Sequence, residues 1–359
     1  MTEIMPIAAI DDWDRRIERQ DAFWHCQILD RPVILMQGRK AKTVPWPVKK
    51  HASSRERWFD AEFIAEQTAV SVRNSVYFGD ALPQKMPNLG PEVFNAFLGM
   101  ELDFGDSTSW SIPNLHDWDD IDRIAFDPEN LYWRKMCEIT DALLYAGKDL
   151  FYVGLTDFHP GGDACAAFRD PMQYNIDMIE SPGEVKRLLR KVTDLYFEIF
   201  DLSHKRLVEA KQPCCTWLGP VSKYTWYVPS NDFSCMISKE MFDEYFLPGI
   251  IEECRELERS IYHLDGPGAL RHLDSLLEIP ELNAIQWVYG DGNGRATDWI
   301  PVYQKIQAAG KGVHISAGLD ELDTLMEALK PEGVWLRLGG NFDEDTARAV
   351  LNRVSGWTK

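Results

Sequence analysis

The stretch SIYHLDG, residues 260–266, combines a buried-strand pattern with polar and turn-forming residues at its end. Ser260–Leu264 has the length and apolar content typical of a buried parallel strand, and Asp265-Gly266 follow it directly. Seven further runs of this kind recur along the chain: Val33–Met36, Ser75–Phe78, Leu150–Gly154, Cys214–Trp217, Ala284–Val288, Gly312–Ile315 and Gly333–Leu336. Eight such runs alternating with helical patterns predict an α/β fold with a single (β/α)8 TIM barrel; a doubly wound sheet is the alternative.

Longer amphipathic stretches separate these runs and predict the helices. Ser54–Arg73 and Glu184–Ala210 each place apolar residues along one stripe. Further helices are predicted after three residues of the types that favour N-caps: Ser238, Asp298 and Asp343. Because no flexible linker or sequence repeat interrupts the chain, residues 1–359 are expected to form one domain.

One long region, Gly79–Phe126, lacks a regular pattern and comes directly after the second run. It is rich in turn-forming residues, including Pro83, Pro87, Pro91 and Pro113. Irregular segments of this length in compact domains are usually functional. We therefore expect an insertion after the second strand that acts as a lid or an interface.

Composition and charge exclude several classes of protein. The 359 residues include 38 Lys plus Arg against 57 Asp plus Glu, a formal net charge of −19. Nucleic-acid phosphates and anionic membrane surfaces repel such a chain, so neither partner is expected. The N-terminal sequence does not resemble a signal peptide, and no stretch approaches the roughly 18 apolar residues of a membrane span. Seven cysteines without a CxxC pair do not suggest a disulfide framework, which favours a reduced, cytoplasmic protein.

The residues that follow the strand patterns are the candidates for chemistry, because barrel enzymes place their sites at the strand carboxyl ends. His263 and Asp265 are two apart on one strand and therefore face the same side. Imidazole and carboxylate suit zinc ligation or a proton-transfer pair; a histidine hydrogen-bonded to its neighbouring aspartate beside a turn is the structural alternative. Cys235 and His314 are possible further zinc ligands, although a buried free cysteine is a common alternative.

Other strand-end residues are candidates for catalysis or substrate binding. They are polar, ionisable or aromatic: Arg39, Asp80, Asp157, His159, Tyr224, Trp287 and Asp291. His159 with the following Gly161-Gly162 could hold an anion through backbone N–H groups, and a simple turn is the alternative. The glycines at 290, 292 and 294 do not match a dinucleotide fingerprint, since the third is misplaced.

Several ordered motifs resemble the uroporphyrinogen decarboxylase superfamily, which includes corrinoid-linked methyltransferases. They are DRPV at 30–33, PNLGPE at 87–92, DSTSW at 106–110, MISKEMF at 236–242 and HLDG at 263–266. The resemblance runs through most of the chain. It implies a single (β/α)8 barrel with the site at its C-terminal mouth.

The resemblance extends to two branches with different chemistry. True decarboxylases carry a segment of the type RQAGRY and an acid after the second strand; here only Gly38-Arg39 of that segment is kept, and Asp80 stands where the acid would be. Thiol-methylating members bind zinc through His-x-Cys, and here Asp265 replaces the cysteine. A different set of His263, Asp265 and Cys235 would still leave one open position on a catalytic zinc.

Three functions follow from these residues and the resemblance. The first is transfer of a methyl group from a small methyl ether or amine to a corrinoid (cobalamin) on a carrier protein, possibly with zinc, in a homodimer. His263 and Asp265 would activate the leaving group there, and Asp80 and His159 would orient the substrate. The second is decarboxylation of a tetrapyrrole or smaller acid with Asp80 as the central residue. The third is a non-catalytic barrel that binds a tetrapyrrole or corrinoid.

Overall fold

The computed structural model describes residues 4–7 and 9–358. Its strands, in chain order, are β1 (Val33–Arg39), β2 (Ser75–Gly79), β3 (Gln84–Lys85), β4 (Glu101–Phe104), β5 (Ser109–Ile112), β6 (Tyr152–Val153), β7 (Cys214–Cys215), β8 (Val221–Ser222), β9 (Trp226–Tyr227), β10 (Arg259–Asp265), β11 (Ala284–Val288), β12 (Gly312–Gly318) and β13 (Val334–Gly339). All eight predicted runs therefore contain or overlap a strand.

The largest sheet has seven strands in the order β2-β1-β13-β12-β11-β10-β9. Every neighbouring pair in it is parallel except β1 and β2, which pair antiparallel from Leu35↔Gly79 to Arg39↔Ser75. The prediction of a buried parallel strand is thus wrong for Ser75–Phe78, which is a half-buried edge strand. Apolar content alone does not fix the direction in which a strand pairs.

The remaining strands form short pairs. β3 and β6 pair parallel, while β4 with β5 and β7 with β8 pair antiparallel. A backbone hydrogen bond from Gly154 N to Lys85 O at 2.9 Å extends the first of these pairs, and one from Leu155 N to Cys215 O at 2.9 Å links the end of β6 to β7. The chain therefore has a mixed α/β fold with a parallel sheet, as predicted, and closure into an eight-stranded barrel stays a prediction.

The helices occupy the connections between strands. They are α1 (Trp13–Phe23), α2 (Ser54–Phe59), α3 (Ala61–Asn74), α4 (Val93–Phe97), α5 (Leu131–Gly147), α6 (Gly161–Arg169), α7 (Pro171–Glu180), α8 (Pro182–Glu209), α9 (Lys239–Met241), α10 (Leu247–Glu256), α11 (Leu273–Leu277), α12 (Ile300–Ala308), α13 (Leu322–Ala328) and α14 (Glu344–Val354). A π-helical turn, Phe242–Phe246, joins α9 to α10. No helix of the described part of the chain has the length and apolarity needed to cross a membrane.

Local side chains explain where several helices begin. Ser238 and Asp343 accept backbone N–H groups at the starts of α9 and α14, which confirms both predicted N-caps. Asp298 instead lies within the 3₁₀ turn Ala296–Trp299, which precedes α12, and accepts the backbone N–H of Arg295 at the start of that turn. The predicted helix Ser54–Arg73 is divided at Asp60, because that carboxylate caps α3 through the Phe63 N–H at 3.1 Å.

The region Gly79–Phe126 is more regular than the sequence suggested. It contains β3, α4 and the β4–β5 hairpin. The hairpin is tied to α2, because the indole N–H of Trp58 donates to the carbonyl of Gly105 at 2.9 Å. A role for this region as lid or interface stays a prediction.

Candidate active site

Strand register places the candidate residues in levels on one face of the large sheet. His263 on β10 aligns with Gln286 on β11, which aligns with His314 on β12, which aligns with Trp335 on β13. Side chains two residues apart on a strand share a face. Asp265 therefore lies one level beyond His263, towards the carboxyl ends of the strands.

His263 is held in a single orientation by two neighbours. Its Nδ1 lies 2.6 Å from Oε1 of Gln286, and because a carbonyl oxygen only accepts, Nδ1 carries the proton and donates it. The indole ring of Trp217 contacts the imidazole edge-on, with the ring centroids 5.3 Å apart. Nε2 is thereby left with its lone pair available to a ligand.

Asp232 faces this lone pair without making a hydrogen bond. Its Oδ1 lies 3.8 Å from Nε2 of His263, beyond hydrogen-bond distance, and this buried oxygen has no hydrogen-bond partner among the described residues. Burial, and then the nearby carboxylate of Asp163, raise the pKa of Asp232 to about 6. Two acceptors that face each other in this way leave a place for a cation or a proton.

Asp163 in α6 fixes the position of Asp232. Its two carboxylate oxygens accept the backbone N–H groups of Asp232 at 3.0 Å and Phe233 at 2.7 Å. These bonds satisfy the start of the 3₁₀ turn Asp232–Met236, whose first N–H groups have no partner within the turn. Asp163 therefore acts mainly as a support for the segment that carries Asp232.

His159 lies on the other side of Asp232, between two carboxylates. Its Nε2 is 3.1 Å from Oδ2 of Asp157, and its Nδ1 is 3.7 Å from Oδ2 of Asp163. Burial acts to lower the pKa of His159, but the hydrogen bonds and charges of Asp157 and Asp163 outweigh it and raise the pKa well above its usual value. His159 therefore holds a proton at neutral pH.

Two groups of ligand-type side chains meet at Asp232. Ligand atoms of Asp232, His263 and Asp265 lie within 4.8 Å of one another, and so do those of His159, Asp163 and Asp232. The first group is the better metal site, because the oxygens of Asp163 already accept backbone N–H groups and His159 is protonated. Two carboxylates and a neutral imidazole are ligand types that zinc takes in catalytic sites.

A cavity of about 650 Å³ has Trp217, a neighbour of His263, in its wall, and none of the described residues of the cluster lines it. It is lined by residues at the carboxyl ends of β1 and β13, by β3, and by helices α2 and α3. Because Trp217 lines the cavity and also contacts His263, its ring lies between the cavity and the cluster. A cavity of this size accommodates a small organic molecule.

Several predicted site residues lie outside the cluster. Cys235 is exposed and joins neither group of ligand atoms within the described chain. His314 is buried, donates its Nε2–H to the carbonyl of Leu218 at 3.1 Å, and stacks on Trp335. Burial lowers the pKa of His314 to about 4, so it is a neutral core histidine.

Asp80 is fully buried in an ion-pair network rather than at the cluster. Its carboxylate contacts both terminal nitrogens of the Arg31 guanidinium and lies 3.1 Å from Nη1 of Arg19. It also accepts the N–H of Ile34 at 2.9 Å. With every oxygen engaged, Asp80 is not placed to orient a substrate beside His263, which corrects the role expected for it.

The other candidates are also dispersed. Arg39 lines a separate small pocket at the end of β1, and Tyr224 lies under the guanidinium of Arg259, 4.4 Å from its ring centroid, near the start of β10. Trp287 is buried against Trp299, and Asp291 is exposed in the turn after β11. Of the predicted substrate-binding residues, the structure brings only Asp157 and His159 to the cluster.

Sequence reasoning missed Asp163, Asp232 and Gln286. Asp232 lies just before Cys235, and Asp163 just after the glycines that follow His159, so both were near residues that had been considered. Nothing in the sequence indicates that these two segments meet. Gln286 had a usable signal, because it occupies the middle of a predicted strand, where a polar side chain needs a partner.

Comparison with known proteins supports the fold. No protein-family model matches the chain, and no curated protein matches it. Among solved structures the chain is similar to a methyltransferase from Methanosarcina mazei, with a TM-score of 0.59 and 12% sequence identity. The match covers 94% of this chain and 97% of that chain. At this identity the likeness concerns the fold alone.

Proposed function

We propose that this protein transfers a methyl group from a small methylated substrate to a corrinoid on a separate carrier protein. The observation that carries the proposal is the meeting of Asp232, His263 and Asp265 next to Trp217, which lines a cavity of about 650 Å³. The likeness to a methyltransferase supports it at the level of the fold. The proposal includes a closed (β/α)8 barrel of the uroporphyrinogen decarboxylase superfamily, in a homodimer.

The donor set fits a divalent ion such as zinc. Asp232 has a buried oxygen without a hydrogen-bond partner among the described residues, and the hydrogen bond from Nδ1 of His263 to Gln286 directs Nε2 towards the site. Asp232, His263 and Asp265 would hold the ion, and a bound zinc would act as a Lewis acid on the heteroatom that carries the methyl group. These three ligands replace the earlier set that contained Cys235 and His314.

His159 supplies the proton that the reaction consumes. The bond between the methyl carbon and the heteroatom breaks, and its electron pair stays on the heteroatom. The acceptor cobalt(I) provides the electron pair of the new bond to carbon. His159, protonated between Asp157 and Asp163, then donates its proton to the heteroatom, so that the product leaves as an alcohol or amine.

The decarboxylase alternative loses its central residue. It required Asp80 to stabilise a cationic intermediate in the substrate site. Asp80 is instead occupied by Arg31, Arg19 and a backbone N–H. No other observation favours that reaction over methyl transfer.

The first test is the metal content of the protein. Wild type is expected to bind one zinc per chain, and Asp232→Asn and His263→Ala are expected to lose it, because each removes one of three ligands. Asp345→Asn, an exposed aspartate on α14, is the matched control and should retain the metal. Metal content is measured by elemental analysis after dialysis against zinc.

Activity is then measured with a cobalt(I) corrinoid acceptor and a panel of methyl ethers and amines. Loss of methyl transfer in His263→Ala, with circular dichroism unchanged, supports the assignment. Full methyl transfer in that variant would contradict the role of His263. Stoichiometric corrinoid binding without any turnover in the wild type would instead favour the non-catalytic barrel.

A further inference from the structure

The cavity beside the cluster is positively charged, although the chain as a whole is strongly acidic. Three basic residues line it, Arg57, Lys85 and Arg337, and no carboxylate of the described residues does. The chain carries 57 acidic residues against 38 basic ones. A cavity that contains cations alone in such a protein is suited to an anionic ligand.

Two of these cations lack a counter-charge. Within residues 4–7 and 9–358, neither Lys85 nor Arg337 has a side-chain hydrogen bond or ion pair, whereas Arg57 donates to the backbone oxygen of Asp106. Both residues are exposed where they line the cavity. An anion bound there can form charge-assisted hydrogen bonds with both cations, because neither is engaged in an ion pair.

Strand register places Arg337 on the face that carries the cluster. Arg337 aligns with Leu35 on β1 and with Ser316 on β12. It lies two residues beyond Trp335, which belongs to the same register level as His263. Arg337 on β13 is therefore on the level of Asp265 on β10, three strands away along the same edge of the sheet.

Aromatic side chains provide the rest of the binding surface. Trp58, Tyr77 and Trp217 line the cavity, and Trp217 also contacts His263. The buried indole N–H of Trp217 has no hydrogen-bond partner among the described residues, which leaves a further donor for a ligand. The flat walls suit a planar body, and the unpaired donors suit an anionic group attached to it.

We propose that the substrate is a planar methylated molecule with an anionic group, carboxylate or phosphate, held by Lys85 and Arg337 while its methyl group reaches His263 past Trp217. This inference rests on the proposed function in one respect, namely that the bound anion is the substrate of methyl transfer. The anion site itself is independent of that reaction, because binding can be measured without the carrier protein.

Binding to the full chain is tested by calorimetry with three probes that share a methoxyphenyl body: 4-methoxybenzoate, 4-methoxyphenyl phosphate and neutral methoxybenzene. At least one anion is expected to bind about 10-fold more tightly than methoxybenzene, since hydrogen bonds between charged groups are stronger than those between neutral ones. Arg337→Gln and Lys85→Gln should each remove most of this preference and leave the affinity for methoxybenzene unchanged. Arg348→Gln, an exposed arginine on α14, is the matched control.

The outcomes separate this inference from the proposed function. Equal affinity for the neutral and anionic probes, no binding of either anion, or an unchanged preference in both variants overturns the anion site. If an anion binds as expected but the wild type transfers no methyl group to the cobalt(I) acceptor, the proposed function fails and the anion site stands.

Discussion

At the scale of single residues, the ligand character of His263 depends on Gln286. The Gln286 carbonyl fixes the proton on Nδ1 and thereby leaves Nε2 free to bind a metal. Partners of this kind hold the tautomer and the ring orientation of metal-binding histidines. The histidine could be predicted from the sequence, but its partner belongs to the neighbouring strand and depends on register.

Replacement of Gln286 tests this dependence. Gln286→Leu is expected to weaken zinc binding by about 10- to 100-fold, because it removes the acceptor and leaves the three ligands in place. Gln286→Glu keeps an acceptor oxygen and should retain zinc. Competition with a chelator gives both affinities, and identical values for Gln286→Leu and wild type would contradict the positioning role.

Helix α10 carries a buried carboxyl group with a consequence for stability. Glu253 is 5% exposed, and its Oε2 has no hydrogen-bond partner among the described residues. Burial, followed by the charges of Asp163 and Glu252, raises the pKa of Glu253 to about 8. In the unfolded chain this glutamate ionises near its ordinary pKa, so the free energy of unfolding falls as pH rises between about 4.5 and 8.

Glu253→Gln should remove this pH dependence. The amide is nearly isosteric and stays neutral, so the variant is expected to exceed wild type in free energy of unfolding by at least about 1 kcal/mol at pH 8, with a smaller difference at pH 5. Urea denaturation at both pH values measures the difference. Glu256→Gln, on the exposed face of the same helix, is the control and should not change the profile. A constant difference at the two pH values would show that Glu253 is ionised in the folded protein.

Elements were predicted more reliably than their pairing. The stripe of apolar residues in Glu184–Ala210 correctly predicted α8, because a helix that is buried on one side has apolar residues three and four positions apart. Ser75–Phe78 was correctly predicted as a strand but not as an antiparallel one. Strand direction depends on where the chain enters the sheet, and that information lies outside the run itself.

On the scale of the whole molecule, Asp80 connects distant parts of the chain. Arg19 in α1, Arg31 before β1 and Asp80 after β2 meet in one buried network. Removing one partner of such a network leaves a buried charge uncompensated. The position of Asp80 in the sequence resembled a catalytic site, and its surroundings in the structure indicate a stabilising role.

Asp80→Asn distinguishes the two roles. The variant is expected to lose about 3 to 5 kcal/mol of unfolding free energy, because Arg31 loses its counter-charge. Asp12→Asn, which breaks a half-exposed ion pair with Arg16, should lose less than about 1 kcal/mol. Denaturant titration measures both, and zinc content of the folded Asp80→Asn protein should be normal. A catalytic Asp80 would show the opposite pattern, with stability kept and activity lost.

The fold class and two residues of the cluster, His263 and Asp265, could be predicted from the sequence alone. Alternating short apolar runs and amphipathic stretches require a parallel sheet covered by helices, and His263 with Asp265 follows from spacing along one strand. Asp232, Asp163 and Gln286 join them only in the tertiary structure. The tertiary structure also places Lys85 and Arg337, which have no ion pair among the described residues, in one cavity. Periodicity along a chain reports which side of an element is buried, whereas distances between elements depend on strand register and loop paths.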